Sequence, residues 1–357
     1  MIETESKEVK VLPTKAYGAQ SATAPIAPLE IARRDPGLRD VLFDVLFCGI
    51  CHTDIHMSRG EFARKLFPMV PGHEVIGKVT RVGAAVSKHK VGDIVGVGCL
   101  VDSCRRCVEC EAGEEQFCDG RSATYNSYER DGKTPTYGGY SARMTVDESY
   151  VLKISPELDP AGAAPLLCAG ITTYSPLRHW KVGKGSTVGI IGLGGLGHMA
   201  VKLASAMAAE VTVFSTSEGK RADALRLGAR AFALASDPQT FTRLAGHFDL
   251  ILNTVSASVN YDAFLSLLKR DGTLVILGVP DRPVSVNAFG LLLRRKRLSA
   301  SFIGGIRETQ EMLDFCASHK IVSDIEIISI DLINEAYDRI LKSDVRYRFV
   351  VDMATLH

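Results

Sequence analysis

The sequence predicts an α/β protein of two domains, a β-rich first half followed by a doubly wound parallel sheet, and three observations carry that prediction. The chain has 357 residues, 46% of them hydrophobic, which is enough for two separate cores. Up to about Ile154, short β-prone runs alternate with Gly, Pro and charged residues, the pattern of an all-β barrel or sandwich. From Ile171 onward the rhythm changes to apolar strands separated by helix-period segments, which reads as a parallel sheet with helices on both faces.

In the first half the strand candidates are VLFDVLF at 41–47, EVIGKVTRVG at 74–83, DIVGVG at 93–98 and GGYSARMTV at 138–146. In the second half they are Thr187–Ile191, Val211–Ser215, Ala231–Leu234, Asp249–Asn253, Thr273–Gly278 and Arg297–Phe302, with helices between consecutive members. After Phe302 come a helix at 307–319, a short strand, a helix at 333–341 and a last strand at 345–351, a tail expected to return to the first domain. The expected division is 1–163, 164–297 and 298–357.

Charge and composition exclude several classes of function. Lys plus Arg total 42 and Asp plus Glu 41, a net +1 that gives no electrostatic reason to bind nucleic acid or an anionic membrane surface. The N-terminal MIETESKEVKVLPTK lacks the apolar core of a signal peptide, so a cytoplasmic location is expected. The most apolar long run, 186–209, is interrupted by His198, Lys202 and several glycines and does not read as a membrane span. Nine cysteines in an unexported chain point to thiols or metal ligands rather than disulfides.

The chemistry is expected in FCGICHTDIHMSRGEFARKLFPMVPGHEVIG at 47–77. Thiolate and imidazole are preferred zinc ligands, and Cys51 and His73 lie too far apart for a compact zinc finger. They suggest an open site that draws a third ligand from elsewhere and keeps a position for substrate. Cys104, Cys107, Cys110 and Cys118 form CxxCxxCx(7)C within a polar stretch. Four thiolates at that spacing close a tetrahedron around a structural zinc, and a four-cysteine iron–sulfur cluster is the alternative. Cys48, Cys99 and Cys316 are expected as small core residues, and His89, His247 and His357 as solvated.

GLGGLG at 192–197 follows a strand and opens a helix, the context a dinucleotide fingerprint requires. Gly192 allows the tight turn, Gly194 admits a pyrophosphate, Gly197 lets helix and strand pack, and Leu193, Gly195 and Leu196 complete the loop. Where an NAD enzyme places an acid at the end of the next strand, this chain has Ser215, followed by Thr216, Ser217, Lys220 and Arg221. Hydroxyls and cations without a carboxylate suit a 2′-phosphate and hence NADP(H); the alternative for Lys220 and Arg221 is an ordinary solvated helix start.

Together GHE at 72–74, CHTDIH at 51–56, the four-cysteine lobe, LLCAGITTYSPL at 166–177 and GLGGLGH at 192–198 resemble the zinc-dependent medium-chain alcohol dehydrogenases, in particular the cinnamyl alcohol dehydrogenase group with its NADP-dependent aldehyde reductases. The resemblance implies a GroES-like catalytic domain and a Rossmann domain. It implies Cys51, His73 and Cys168 as ligands of a catalytic zinc, with Glu74 beside the metal and Asp54 bonded to the far nitrogen of His73. It places Thr53, Thr172, Thr254, Gly278, Ser301, Phe302 and Ile303 along the cofactor, and a proton path from the substrate oxygen through Thr53 and the cofactor ribose to His56. The implied reaction interconverts primary alcohols and aldehydes by hydride transfer, with two zinc ions per subunit and a dimer built through 297–302.

Plant members carry a pocket Trp where this chain has Ala123 in RSATYNSY, which favours broad aromatic or aliphatic substrates. Phe62, Tyr125 and Ile303 are the candidate pocket lining. An NAD-linked polyol dehydrogenase and a non-catalytic NADPH-binding zinc sensor are the competing readings. Ser215 and the intact four-cysteine lobe oppose the first, and the Thr53 and His56 relay opposes the second.

Overall fold

The computed structural model describes residues 11–62, 64–280 and 282–357. The charged stretch before Val11, including the start of the β pattern at Val9, lies outside the described residues. The chain packs as two compact units: one runs through Leu167 and resumes at Asp324–His357, and the other is Cys168–Ser323.

The first unit is built on a seven-stranded sheet. Along its main path the order is Ile325–Ser329, Arg348–Asp352, Asp40–Gly49, Val75–Val82, Ile94–Val97 and Leu152–Lys153, with Arg143–Asp147 also paired to Asp40–Gly49. The long strand Asp40–Gly49 is central because its apolar run is buried and both its edges are paired: one with Val75–Val82, the other with 143–147 along residues 40–44 and with 350–352 along residues 47–49. Its antiparallel register with Val75–Val82 sets Cys48 opposite Val75, and Gly49 N donates to Glu74 O at 2.9 Å. That register carries the two-residue extensions, Cys51 on one strand and His73 on the other, to the same end of the sheet.

The second unit holds six parallel strands in the order Ala231–Leu234, Glu210–Ser215, Thr187–Ile191, Phe248–Asn253, Leu268–Ile276 and Arg297–Ala300. The order reverses beside Thr187–Ile191, the switch point at which such sheets bind ligands. Ile191 is level with Phe214 and with Asn253. Gly192, Ser215 and Thr254 therefore all leave the sheet near one edge. Phe214, Phe248 and Phe264 meet edge to face at 5.4–5.5 Å in the core beneath.

The strands match the sequence reading, and two expectations change. The segment before Arg297–Ala300 forms only the short helix Ala288–Leu292, because Pro280 and Pro283 leave little chain able to continue a helix. The tail does not return directly after Phe302. Helix Ile306–His319 stays in the second unit, where Glu311 accepts hydrogen bonds from Tyr174 Oη at 3.0 Å and Arg178 Nε at 2.8 Å. The units consequently divide at 167/168 and 323/324, against the expected 163/164 and 297/298. No helix among the described residues is long and apolar enough to cross a membrane.

Candidate active site

Cys51 caps the helix His52–Ser58, and its backbone N–H donates to Asp54 Oδ2 at 2.8 Å. The Asp54 carboxylate is fully buried. It also accepts Gly72 N at 3.1 Å and Tyr140 Oη at 3.4 Å, and lies 3.1 Å from His73 Nδ1. An acceptor at Nδ1 fixes the proton there and directs Nε2 to a metal. One ligand atom from each of Cys51, His73, Glu74 and Cys168 lies within 4.8 Å of the others, Cys168 being the residue at which the first unit gives way to the second. Zinc bonds of 2.0–2.3 Å place tetrahedral donors about 3.5 Å apart, so this set can close on zinc with small shifts.

Glu74 is fully buried, and its Oε1 accepts from Arg348 Nη2, which also donates to Ile50 O at 2.8 Å. Its Oε2 has no hydrogen-bond partner among the described residues, as suits an oxygen kept for a metal. Burial pushes the Glu74 carboxyl up to about 7 against the pull of Arg348. Gly49 makes room for it, since a Cβ there would collide with Glu74 Oε2. Sequence reasoning missed Arg348: it lies 274 positions from Glu74 and carries no motif.

Thr53 Oγ1 lies 3.6 Å from Cys51 Sγ. One turn on, His56 presents Nδ1 to Glu61 Oε2 at 2.5 Å. Its ring stacks on His52 with centroids 6.3 Å apart and meets the edge of Phe62 at 5.9 Å. Tyr125 is buried and stacks on the His73 ring at 5.8 Å. Phe62 and Tyr125 thus flank the two histidines, while Ile303 belongs to the second unit, where it is buried with φ at +36°. A β-branched residue in that region is strained.

The second metal group is closed. The sulfurs of Cys104, Cys107, Cys110 and Cys118 lie within 4.8 Å of one another, and none of the nine cysteines is in a disulfide. Cys104 N donates to Cys118 Sγ at 3.4 Å, and Ser103 Oγ, itself accepting from Tyr150 Oη, lies 3.0 Å from Cys110 Sγ. The backbone N–H of Arg106 leads the effects that draw the Cys104 thiol down to about 6, toward the thiolate a metal needs. Four sulfurs in a polar lobe fit a structural zinc. Cys48 and Cys316 are core residues as expected and Cys99 is half-buried. His89 is not solvated: its ring is buried, with Nε2 3.1 Å from Val151 O.

In the second unit the three fingerprint glycines differ in their surroundings. Gly192 has φ +90°, and a Cβ on it would strike Val255. A Cβ at Gly194 would meet nothing within 4 Å, which leaves the approach to the backbone open. At Gly197 it would collide with Gly192 O. Thr254 Oγ1 donates to Ile191 O at 2.7 Å, and Gly278 packs against the Val255 carbonyl. Thr172 is buried in the helix Ala169–His179, whereas Phe302 is 52% exposed.

Ser215 Oγ accepts Ser217 N at 3.2 Å, which orders the turn where a 2′-phosphate would sit. Of the two cations, Lys220 Nζ reaches Leu193 O at 2.8 Å, beside the glycine loop. Arg221, the first residue of the helix Arg221–Arg226, pairs with Glu218 and lies over the Phe232 ring at 4.7 Å.

A mostly antiparallel-sheet unit with one open and one closed cluster of potential metal ligands, and a six-stranded parallel-sheet unit with a glycine fingerprint, are the marks of a zinc-dependent dehydrogenase. Residues 37–156 match the alcohol dehydrogenase GroES-like domain and residues 195–318 the zinc-binding dehydrogenase domain. The chain is 60% identical to NADP-dependent alcohol dehydrogenase C 1 of Mycolicibacterium smegmatis, over 96% of this chain and 98% of that protein. It is 53% identical to aldehyde reductase YahK of Escherichia coli, over 96% and 99%. The crystal structure of the CAD from Helicobacter pylori complexed with NADP(H) superposes with a TM-score of 0.91 at 40% identity, covering 98% of this chain and 100% of that one. The chain belongs to the zinc-dependent medium-chain alcohol dehydrogenases, in the cinnamyl alcohol dehydrogenase-like branch.

Proposed function

We propose that the protein is an NADP(H)-linked alcohol dehydrogenase and aldehyde reductase that interconverts primary alcohols and aldehydes. The observation that carries this reading is the Cys51, His73, Glu74 and Cys168 group, whose donor atoms converge within 4.8 Å. Zinc held there supplies a Lewis acid for the carbonyl oxygen. The remaining work falls to the chain's own side chains. Asp54 orients His73, and Arg348 restrains Glu74 and balances its charge. Thr53 and His56 carry the alcohol proton, with Glu61 holding the His56 ring. The glycine loop binds the pyrophosphate, and Thr172, Thr254, Gly278, Ser301, Phe302 and Ile303 line the cofactor.

Ser215, with Thr216, Ser217 and Lys220 around it, favours the 2′-phosphate, in keeping with the NADP dependence named for the M. smegmatis relative. Ala123, small where plant members of the family carry Trp, favours medium-sized aldehydes, aromatic or aliphatic, with Phe62, Tyr125 and Ile303 as the pocket lining. The second group, Cys104 to Cys118, holds a zinc that secures its lobe. The edge strand Arg297–Ala300 and the exposed Val279, Phe289, Leu292 and Leu293 support a homodimer. The test is hydride transfer from NADPH to benzaldehyde, followed by loss of nicotinamide absorbance, before and after metal removal. Turnover that survives complete loss of zinc would sink the proposal.

A further inference from the structure

His198 ends the GLGGLGH run, takes no part in the metal groups or the hydride step, and is nevertheless fully buried. Its ring bridges two points of the second unit: Nδ1 lies 3.2 Å from Gly194 O, and Nε2 lies 2.9 Å from Ser323 Oγ. A carbonyl only accepts, so Nδ1 carries its hydrogen and donates, and the Ser323 hydroxyl donates to Nε2 of the neutral ring. A buried imidazole is costly unless both nitrogens are satisfied, and here both are. Leucine would fill a similar volume, so the hydrogen bonds are what histidine adds.

Those bonds bear on the glycine loop. Gly194 O also accepts the backbone N–H of His198 at 3.0 Å, so two donors fix its direction. In a planar trans peptide the N–H of the next residue points opposite to the carbonyl, so anchoring Gly194 O aims the N–H of Gly195 away from His198. Gly194 is exposed and a Cβ on it would meet nothing within 4 Å, so a ligand can approach the loop at this peptide. One turn along the same helix, Lys202 Nζ donates to Val322 O at 2.7 Å. The segment 322–323 that anchors the far side of the ring is thus itself held to the helix.

We propose that His198 is a positioning residue for the Gly194–Gly195 peptide, holding it from a Ser323 anchor so that its N–H meets the cofactor pyrophosphate. This rests on reading the glycine loop as the dinucleotide cradle.

The test measures dissociation constants of the full-length zinc-loaded protein for NADPH and for 2′-AMP, which has the adenosine and the 2′-phosphate but no pyrophosphate. His198→Leu is expected to weaken NADPH about tenfold while 2′-AMP stays within about twofold. His198→Asn, whose amide N–H can replace the Nδ1 donor, is expected to restore most of the NADPH affinity. Ser323→Ala is expected to weaken NADPH about threefold, and it carries the test if the leucine variant does not fold. The inference is overturned if the variants bind NADPH as tightly as the unaltered protein, whatever their melting temperatures, or lose both ligands equally. If the unaltered protein binds neither ligand, the reading of the loop fails and the inference with it; if it binds both and the variants do not differ, only the inference fails.

Discussion

His56 Nδ1 lies 2.5 Å from Glu61 Oε2, and the backbone N–H of Glu61 donates to His56 O at 3.0 Å, so the carboxylate is built onto the end of the histidine's own helix. This pairing engages Nδ1 and leaves Nε2 as the nitrogen for the proposed proton exchange. His56→Ala is expected to lower kcat for aldehyde reduction about ten- to hundredfold with both zinc ions retained. Glu61→Gln should cost about three- to tenfold with both zinc ions retained. A kcat left unchanged by His56→Ala would remove both residues from the proton path.

The two metal groups predict different failures. Cys51→Ser should lose one zinc and nearly all activity while the protein stays folded, because the open group sits at the end of a sheet that is complete without metal. Cys104→Ser should lose the other zinc and chiefly lower the melting temperature, because sulfur contacts organise that lobe. Metal analysis finding fewer than two zinc ions per folded chain would refute the two-group picture.

Cofactor choice is expected to turn on Ser215. The unaltered enzyme should show a much higher kcat/KM with NADPH than with NADH. Ser215→Asp should narrow that gap by about tenfold or more, since the new carboxylate repels a 2′-phosphate and accepts from a ribose hydroxyl. Equal kcat/KM for the two cofactors in the unaltered protein would contradict the assignment.

Buried Glu148 gives a pH prediction. Burial raises its pKa, but the N–H groups of Ser87 at 2.9 Å and Lys88 at 3.0 Å, with Arg39 at 2.9 Å, outweigh that and hold the carboxyl below its ordinary value. A lowered carboxyl pKa contributes stability above the ordinary Glu value of about 4.3, and that stability is lost as pH falls through the folded value. Glu148→Gln should cost about 1–3 kcal/mol near neutrality, with the difference shrinking toward about pH 3. Urea unfolding at both pH values checks it, and a constant difference would be the wrong result.

The Arg348–Glu74 pair predicts a large single effect. Arg348→Met leaves a buried carboxylate uncompensated and should destabilise by about 3–5 kcal/mol. Adding Glu74→Gln removes the charge and should recover part of that loss. A melting temperature unmoved by Arg348→Met would show the pair to be idle.

The sequence was most legible where chemistry is local. The fingerprint glycines stand next to one another, and the four lobe cysteines fall within fifteen residues (104–118). Cys51 and His73 are brought together by one hairpin-like register between consecutive sheet strands. What escaped were side chains whose partners come from far along the chain. Arg348 meets Glu74 through a strand added at the end, and Ser323 meets His198 across 125 positions. Neither pairing leaves a periodic or spaced signature. Glu61 was within reach, five residues beyond His56, but an isolated acid after a helix is indistinguishable from a solvated one. The end of the second unit was misplaced because the contacts of helix Ile306–His319 with Tyr174 and Arg178 are tertiary and not written in its own pattern.

The position of Arg348–Asp352, seated between Ile325–Ser329 and Asp40–Gly49, orders events during synthesis. This inner strand is made only after all of Cys168–Ser323, so the first unit must wait with an unfilled edge while the contiguous second unit emerges whole. A chain stopped before Arg348 would therefore lack an inner strand of its sheet and Glu74's counter-charge together.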